Sequence, residues 1–586
     1  MKRRAALRLT AAAAAAPLVP RPAFARPADV RLRPGDPRWP AGAAWQGLAR
    51  RLRGRLVALH SPFDTCRSAP KGAQCAALFE NVRNPYYIGD DPALTQTLGW
   101  VDAWTSRTSA YAVEARDASD VAAAVTFARE NDLRLVVKGG GHSYLGTSNA
   151  PDSLLIWTRR MNDIVVESDA VTLGAGCIWV HAYDAVTTKA GRYVQGGGCT
   201  TVGVAGLVAS GGFGSFSKHY GTAASSLLEA EVVTADGKVR IASASTNADL
   251  FWALKGGGGG TFGVVTKIKL RLHDLPEFFG AAAMKIRASS DDAFARLIAR
   301  IVDFYAENLF NDHWGEQIHI GSDNTLEVSM VSQGLDQAAV QAVWKPFLDW
   351  IAQNSSDYSF VSKPILAVAP ARNWWNAQYI EQNYPFAIVQ NKLPGSAPSE
   401  FWWRGDGSQV GQVLYAYESL WLPASLLDGE NRQHLADTFF QASRSWDFEL
   451  HFNKGLAGAP AGAIAASRDT ATNPAVASAF ALVIAGDGQG PAYPGVRGHE
   501  PDAAAARKSA LSVRQCMDGL RSLTPHPGSY VSESDFFARD WRHSYWGANY
   551  ARLAAVKKKY DPDGLFYVHH GVGSEAWSSD GFTRLR

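Results

Sequence analysis

Residues 133–144 read Leu133-Arg134-Leu135-Val136-Val137-Lys138-Gly139-Gly140-Gly141-His142-Ser143-Tyr144. Leu133–Val137, mostly aliphatic, predicts a short strand that runs straight into three consecutive glycines. Glycine has no Cβ, so its N–H groups can approach an anion closely and point at it. Upstream, Ser119 caps a predicted helix running to about Glu130, with Val121, Ala124, Val125 and Phe127 on one side. Downstream, Leu154–Thr158 and Val171–Leu173 read as strands and Trp179–Lys189 as a helix. Glu231–Thr234 and Val239–Ile241 flank Asp236-Gly237 as a hairpin, and Val264–Leu272 closes the block. Strands and helices mixed in this order predict an α+β domain over residues 105–276.

Two more glycine clusters fall in the same block: Gly196–Gly198 with Gly203, Gly206, Gly211, Gly212 and Gly214, and then Gly256–Gly260. Any one of them reads as a tight turn. Three in one α+β domain predict a site for a dinucleotide diphosphate, although none follows the strand–GxGxxG–helix order of a nicotinamide-binding unit. From residue 277 to 525 glycine thins and aromatic residues gather: Trp374-Trp375, Trp402-Trp403, Trp421, Tyr379, Tyr384, Tyr415 and Tyr417. This stretch predicts a second domain with long helices and a sheet, its tryptophans serving either a sugar-stacking surface or a large core. Residues 526–586 form a last segment with Tyr530 and a helix over Tyr550–Lys559, stopped by Asp561-Pro562-Asp563-Gly564.

A chain of 586 residues with 46% hydrophobic and 19% charged residues suits two or three folded domains. Five of its 58 basic residues and no acid lie in residues 1–25, leaving 53 basic against 55 acidic residues, a net of −2. Such a body has no general attraction for nucleic acid or an anionic membrane. Residues 1–25 read as a signal peptide: Lys2-Arg3-Arg4, an Ala/Leu-rich stretch too short to span a membrane, and Ala23-Phe24-Ala25 as a cleavage site. The Arg3-Arg4 pair points to the twin-arginine route and a periplasmic or secreted protein. Residues 26–104 then read as an N-terminal extension. Among five cysteines, Cys66 and Cys75 are close enough for a local disulfide, while Cys177 and Cys516 read as buried thiols. No Cys/His spacing indicates a metal.

Val137–Tyr144 resembles the glycine-histidine loop of the berberine-bridge-enzyme-like oxidases, FAD proteins of the vanillyl-alcohol-oxidase type. Gly198-Cys199-Thr200-Thr201-Val202-Gly203-Val204-Ala205-Gly206 resembles their second signature, Gly256–Gly260 with Thr261-Phe262-Gly263-Val264-Val265 their third, and Tyr550–Gly571 their C-terminal one. The resemblance implies a PCMH-type, two-subdomain FAD-binding domain, plus a substrate domain with an antiparallel sheet covered by helices. It implies FAD bonded through His142 (at the 8α-methyl) and Cys199 (at ring carbon 6). Lys138, Gly139, Gly140, Gly141, Ser143, Thr201, Val202, Gly203, Gly206, Gly211, Gly212, Gly263, Val264, Asn549 and Tyr550 are the expected cofactor neighbours. Two links would raise the reduction potential of the ring and prevent its loss outside the cell.

Oxidation of an alcohol leaves a hydroxyl proton that needs an acceptor. Tyr144 matches a family tyrosine beside the flavin, and Tyr530 in Ser529-Tyr530-Val531-Ser532 stands where many relatives have Tyr-x-Asn. Tyr530, assisted by Tyr144, is therefore the expected base, with Ser532 in place of the asparagine and Glu449 as a weaker alternative. A free phenol has a pKa of roughly 10, so this reading needs a site that lowers it. Val202 occupies the family position associated with oxygen access. The expected activity is hydride transfer from an alcohol or carbohydrate to flavin N5, with reoxidation by O2 to H2O2, in a monomer or homodimer. The alternative is a flavin dehydrogenase or a ring-forming oxidase acting on an aromatic natural product.

Overall fold

A computed structural model describes residues 30–585, so the expected signal segment lies outside the described residues. The glycine-histidine loop leaves a four-stranded sheet ordered Arg55–Ala58, Tyr111–Glu114, Leu154–Trp157, Leu135–Lys138. The last three strands run parallel, and Arg55–Ala58 closes the edge antiparallel to Tyr111–Glu114. The helix Ala118–Glu130 packs Val121, Ala124, Val125 and Phe127 into the core behind this sheet. Its cap is Asp117, not the expected Ser119: Asp117 is extended, and its carboxylate accepts the N–H groups of Ser119 and Asp120. A short polar side chain caps from outside the helix, and Ser119 is already inside it.

The second sheet is antiparallel. Its order is Val239–Ser243, Leu227–Val233, Val264–Asp274, Ala170–Gly174, Ile164–Val166, with Arg192–Val194 on the far end of Val264–Asp274. Asp236-Gly237 makes the predicted hairpin turn between Leu227–Val233 and Val239–Ser243. The expected helix 179–189 is α-helical only over Trp179–Tyr183 and continues as a π-helical turn over Asp184–Lys189. Both sheets belong to one α+β unit, with the glycine loops at the seam.

The substrate domain is a ten-stranded sheet. Its path is Tyr358–Phe360, Phe278–Ala288, Thr325–Gln333, Trp314–Ile320, Phe448–His451, Ala479–Gln489, Val413–Pro423, Gly99–Trp100, Trp104–Thr105, and Ile365–Pro370 also pairs with Phe278–Ala288. All pairings are antiparallel except that of Gly99–Trp100 on Val413–Pro423. Side chains alternate across the sheet. Ile318, Ile320, Val328, Met330, Leu450 and Leu420 pack with the helices Asp291–Phe304, Asn431–Ser443 and Ala503–Arg521. Ser329, Val331, Tyr417, Glu449 and His451 line the opposite, cavity side. Glu316 has the parity of Ile318 yet also lines the cavity, and its φ of +66° is the local break in the alternation.

Residues 30–104 are woven into both domains rather than appended: Arg55–Ala58 edges the first sheet and Gly99–Trp100 joins the third. Cys66 and Cys75 form a disulfide with Cα atoms 4.8 Å apart, and Cys177 and Cys516 are buried free thiols. At the other end, the helix Tyr550–Tyr560 returns the chain to the first domain. Its buried Lys557 donates to Thr261 O at 2.7 Å and to Phe566 O at 2.6 Å and pairs with Asp561 at 2.7 Å. Phe566 bridges to Leu135 at the foot of the glycine-histidine strand. Among the described residues, no helix is long and apolar enough to cross a membrane.

Candidate active site

The glycine-histidine loop and the Cys199 loop touch backbone to backbone. A Cβ on Gly140 would lie 2.6 Å from Gly203 N, and one on Gly203 would lie 2.7 Å from Gly140 N. This contact joins the loops that carry His142 and Cys199, and both residues line a cavity of about 900 Å³, near the top of the ~300–1,000 Å³ range of small-molecule sites. Gly139–Gly141, Ser143, Val202, Gly203, Gly206, Gly258–Gly260 and Gly263 line it, and Phe566–Gly571 close it from the C-terminal segment.

Several expected cofactor neighbours lie elsewhere. Lys138 turns its ammonium away, donating to Asp91 O at 3.0 Å, Pro92 O at 2.7 Å and Leu94 O at 2.7 Å. A buried amine with three carbonyls is a structural tie, and burial brings it down to about 7. Gly211 and Gly212 pack on Thr472 and Leu207. Val264 is in the core. Asn549 donates to Thr472 O, and the Tyr550 hydroxyl donates to Glu575. Their motif positions hold the loops in place rather than touching the cavity. Thr201 acts on His142: its Oγ1 lies 3.1 Å from Nε2, leaving Nδ1 as the ring nitrogen it does not engage. Burial pushes His142 down to about 4, so the imidazole is neutral and carries a lone pair at neutral pH.

The Cys199 loop is clamped from the substrate domain. Trp403 Nε1 donates to Gly198 O at 3.1 Å, and Thr200 Oγ1 donates to Phe401 O at 2.6 Å. The short turn Arg404–Gln409 follows directly. It sets Asp406 against Cys199, and Gln409 Oε1 accepts the Tyr144 hydroxyl at 3.0 Å. Burial pushes the Cys199 thiol well above its ordinary value, and Asp406 adds to this. Burial also raises the Asp406 carboxyl to about 6.

Across the cavity, the ring partner of Tyr144 is Tyr417, with centroids 4.9 Å apart, whereas Tyr530 packs edge-on against Phe213 at 5.0 Å. Burial, and then the Glu533 carboxylate, push all three phenols up. The lowered phenol that the tyrosine-base expectation required is therefore absent among these residues. The cavity-lining ammonium of Lys454 is paired with Glu533 at 2.5 Å. Burial would raise Glu449, but the hydrogen bond from His451 at 3.0 Å and its charge hold the carboxyl below its ordinary value. The aromatic residues divide. Trp421 is core; Trp375, buried and stacked on Tyr183 at 4.0 Å, reaches the cavity from the core; half-buried Trp374, Trp403, Tyr379 and Tyr384 line the mouth. Glu316, Asp406 and Glu533 carried no sequence signal, and Tyr417 stood out only as one of the gathered aromatic residues; each belongs to the second domain or the C-terminal segment, which the fold brings over the glycine loops.

A glycine-lined cavity of this size fits a flavin dinucleotide. So do the buried Thr261 Oγ1, Asp406 Oδ2 and Asn453 Oδ1, which have no hydrogen-bond partner among the described residues. Fold and site thus define a flavoprotein with a two-subdomain cofactor domain and a roofing substrate domain. The family model for the FAD binding domain matches residues 109–243, and that for berberine and berberine-like proteins matches residues 529–573. The VAO-type flavoprotein oxidase VAO615 of Thermothelomyces thermophilus is 31% identical over 603 residues, covering 95% of each chain. The crystal structure of the VAO-type flavoprotein MtVAO615 from Myceliophthora thermophila C1 is 28% identical with a TM-score of 0.76, covering 94% of this chain and 98% of that one. Glucooligosaccharide oxidase from Acremonium strictum shares the fold at 20% identity and a TM-score of 0.63, over 88% of this chain and 99% of its own. The chain belongs to the VAO-type, berberine-bridge-enzyme-like family of FAD-linked oxidoreductases.

Proposed function

We propose that the chain is an exported FAD oxidase. It holds its flavin through both His142 and Cys199, oxidises an alcohol or carbohydrate, and passes the electrons to dioxygen with release of hydrogen peroxide. The observation that carries this reading is the Gly140–Gly203 contact, which joins the loops of a neutral imidazole and a thiol that line one cavity together with phenols and carboxylates. The glucooligosaccharide oxidase of the same fold is described with a 6-S-cysteinyl, 8α-N1-histidyl FAD, which supports the same pair here. The basic and Ala-rich residues 1–25 support export.

When bound, FAD supplies the two-electron acceptor for hydride from the substrate carbon. Gly139–Gly141, Gly258–Gly260 and Phe566–Gly571 would hold it. The chain's own task is the hydroxyl proton. Glu533 is the carboxylate whose charge acts on Tyr144, Tyr417 and Tyr530 alike, so it is assigned as the acceptor, with Tyr530 and Tyr144 as hydrogen-bonding groups around the substrate oxygen. Lys454 pairs with Glu533 at 2.5 Å and orients it. Trp374, Trp403 and Tyr379 offer apolar faces at the mouth for a pyranose ring. The same aromatic mouth favours, as a second reading, a flavin dehydrogenase or ring-forming oxidase acting on an aromatic natural product.

Oxygen uptake and peroxide release over a panel of mono- and oligosaccharides and simple alcohols test the proposal. One peroxide per oxygen consumed is expected. Reduction of an artificial acceptor with no oxygen uptake would reassign the chain as a dehydrogenase.

A further inference from the structure

The mechanism above uses Glu533 and leaves another carboxyl of the cavity, Asp406, without a task. Asp406 sits on the turn Arg404–Gln409, fixed at its start by the Trp403–Gly198 hydrogen bond and therefore tied to the loop that carries Cys199. Its Oδ2 is buried and has no hydrogen-bond partner among the described residues. Of the charged side chains around the Cys199 thiol, Asp406 acts on it most strongly, ahead of Lys454 and Glu316. Lys454 is taken by Glu533, and Glu316 reaches the loop at Gly198, where an added Cβ would lie 3.6 Å from its Oε1.

A thiol reacts as its thiolate. Burial works against that state here, raising the Cys199 thiol well above its ordinary value. Attachment at this cysteine therefore needs a local proton acceptor. A carboxyl brought up to about 6 is matched to that task near neutral pH, because a general base works best when its pKa is close to the ambient pH.

We propose that Asp406 is the base for the second flavin attachment, taking the Cys199 proton as sulfur bonds to ring carbon 6. This rests on the doubly attached flavin proposed above. In the step, the S–H bond breaks and its proton goes to Asp406. The S–C bond forms, and the hydrogen that carbon 6 carried leaves as a proton. The two electrons released reduce the flavin and are then passed to dioxygen. With two protons they give one hydrogen peroxide, so the net reaction is thiol plus flavin plus O2 to thioether plus H2O2. Asp406 ends the step ready to release its proton.

The test compares wild type with Asp406→Asn, Asp406→Ser and Asp406→Glu, each isolated as native holoprotein by gel filtration and sampled over hours in air. After acid denaturation and proteolysis, mass spectrometry counts peptides joined through flavin at both His142 and Cys199 against those joined at His142 alone. Iodoacetamide labels Cys199 only where it is free. In D406N and D406S the His142 link is expected to remain, while conversion to the double link slows by roughly 10²-fold. D406E should restore it. Complete double attachment in D406N or D406S as fast as in wild type would overturn the role of Asp406. Absence of the doubly joined peptide from wild type itself would instead show that the underlying reading has failed. The serine variant, smaller and equally unable to take the proton, separates loss of the base from a packing fault specific to asparagine.

Discussion

Replacing Gly140 by alanine should pull apart the two loops that carry the proposed attachment residues, His142 and Cys199. The new Cβ would stand 2.6 Å from Gly203 N, 3.1 Å from Thr201 O and 3.2 Å from Gly203 Cα. Comfortable carbon contacts lie at about 3.5–4.0 Å, so the loops must separate by roughly 0.5–1 Å. All three obstacles are backbone, and no side-chain rotation can relieve them. Overpacking of this kind costs about 1–3 kcal/mol. Because Thr201 holds His142 at 3.1 Å, the same shift also loosens the imidazole. A displacement near 1 Å in a reacting constellation costs roughly 10²-fold in rate. Gly140→Ala should therefore melt a few degrees lower and carry mostly singly attached flavin, read by thermal denaturation and by flavin retained on the acid-washed polypeptide. A variant that melts like wild type and keeps both links would show that the Gly140–Gly203 contact does not set the distance. Gly206→Ala is the contrast. Gly206 lies in the helix Val204–Ala209, lines the cavity, and a Cβ there meets no atom within 4 Å. Alanine should leave flavin-free protein as stable or up to ~1 kcal/mol more so, yet lower the flavin content by projecting a methyl into the cofactor's space.

Three more expectations can be checked together. Glu533→Gln should slow flavin reduction by substrate roughly 10²-fold or more in stopped flow, and Tyr530→Phe by less; the reverse order would return the base to Tyr530. Loss of the Cys66–Cys75 link, which closes a short loop of sequence separation 9, should cost about 2–3 kcal/mol, and an unchanged melting point in Cys66→Ser/Cys75→Ser would contradict this. In flavin-free protein, the folded His142 value of about 4 lies below its ordinary 6.5. Between these two values the unfolded chain binds a proton that the folded one does not, so this contribution to stability is present above 6.5 and is lost as pH falls toward 4. Melting curves of His142→Gln should accordingly fall less steeply than wild type over that window.

The sequence made the cofactor domain legible because its signals are local. The strand into Gly139–His142, the Asp236-Gly237 turn and the helix from Tyr550 depend on neighbours within a few residues, and all recur in the fold. Local reading does not distinguish a position that lines the cavity from one that ties a loop, as at Lys138, Asn549 and Tyr550. It also failed where contacts are long-range. Gly99–Trp100 pairs with strand Val413–Pro423, and Glu533 meets Lys454 across 79 residues of chain. Glu316 faces the cavity through a left-handed backbone that strand alternation would never predict. Nothing in the spacing of Asp406 announces that the Trp403 anchor delivers it to Cys199.

The central claim is double attachment of the flavin, and the most direct test is the absorption spectrum of acid-precipitated, washed and redissolved protein. The account predicts flavin on wild type, on His142→Ala and on Cys199→Ala, and none on the double variant. Flavin released entirely into the supernatant by wild type would contradict both assignments, and retention by the double variant would place the links on other residues.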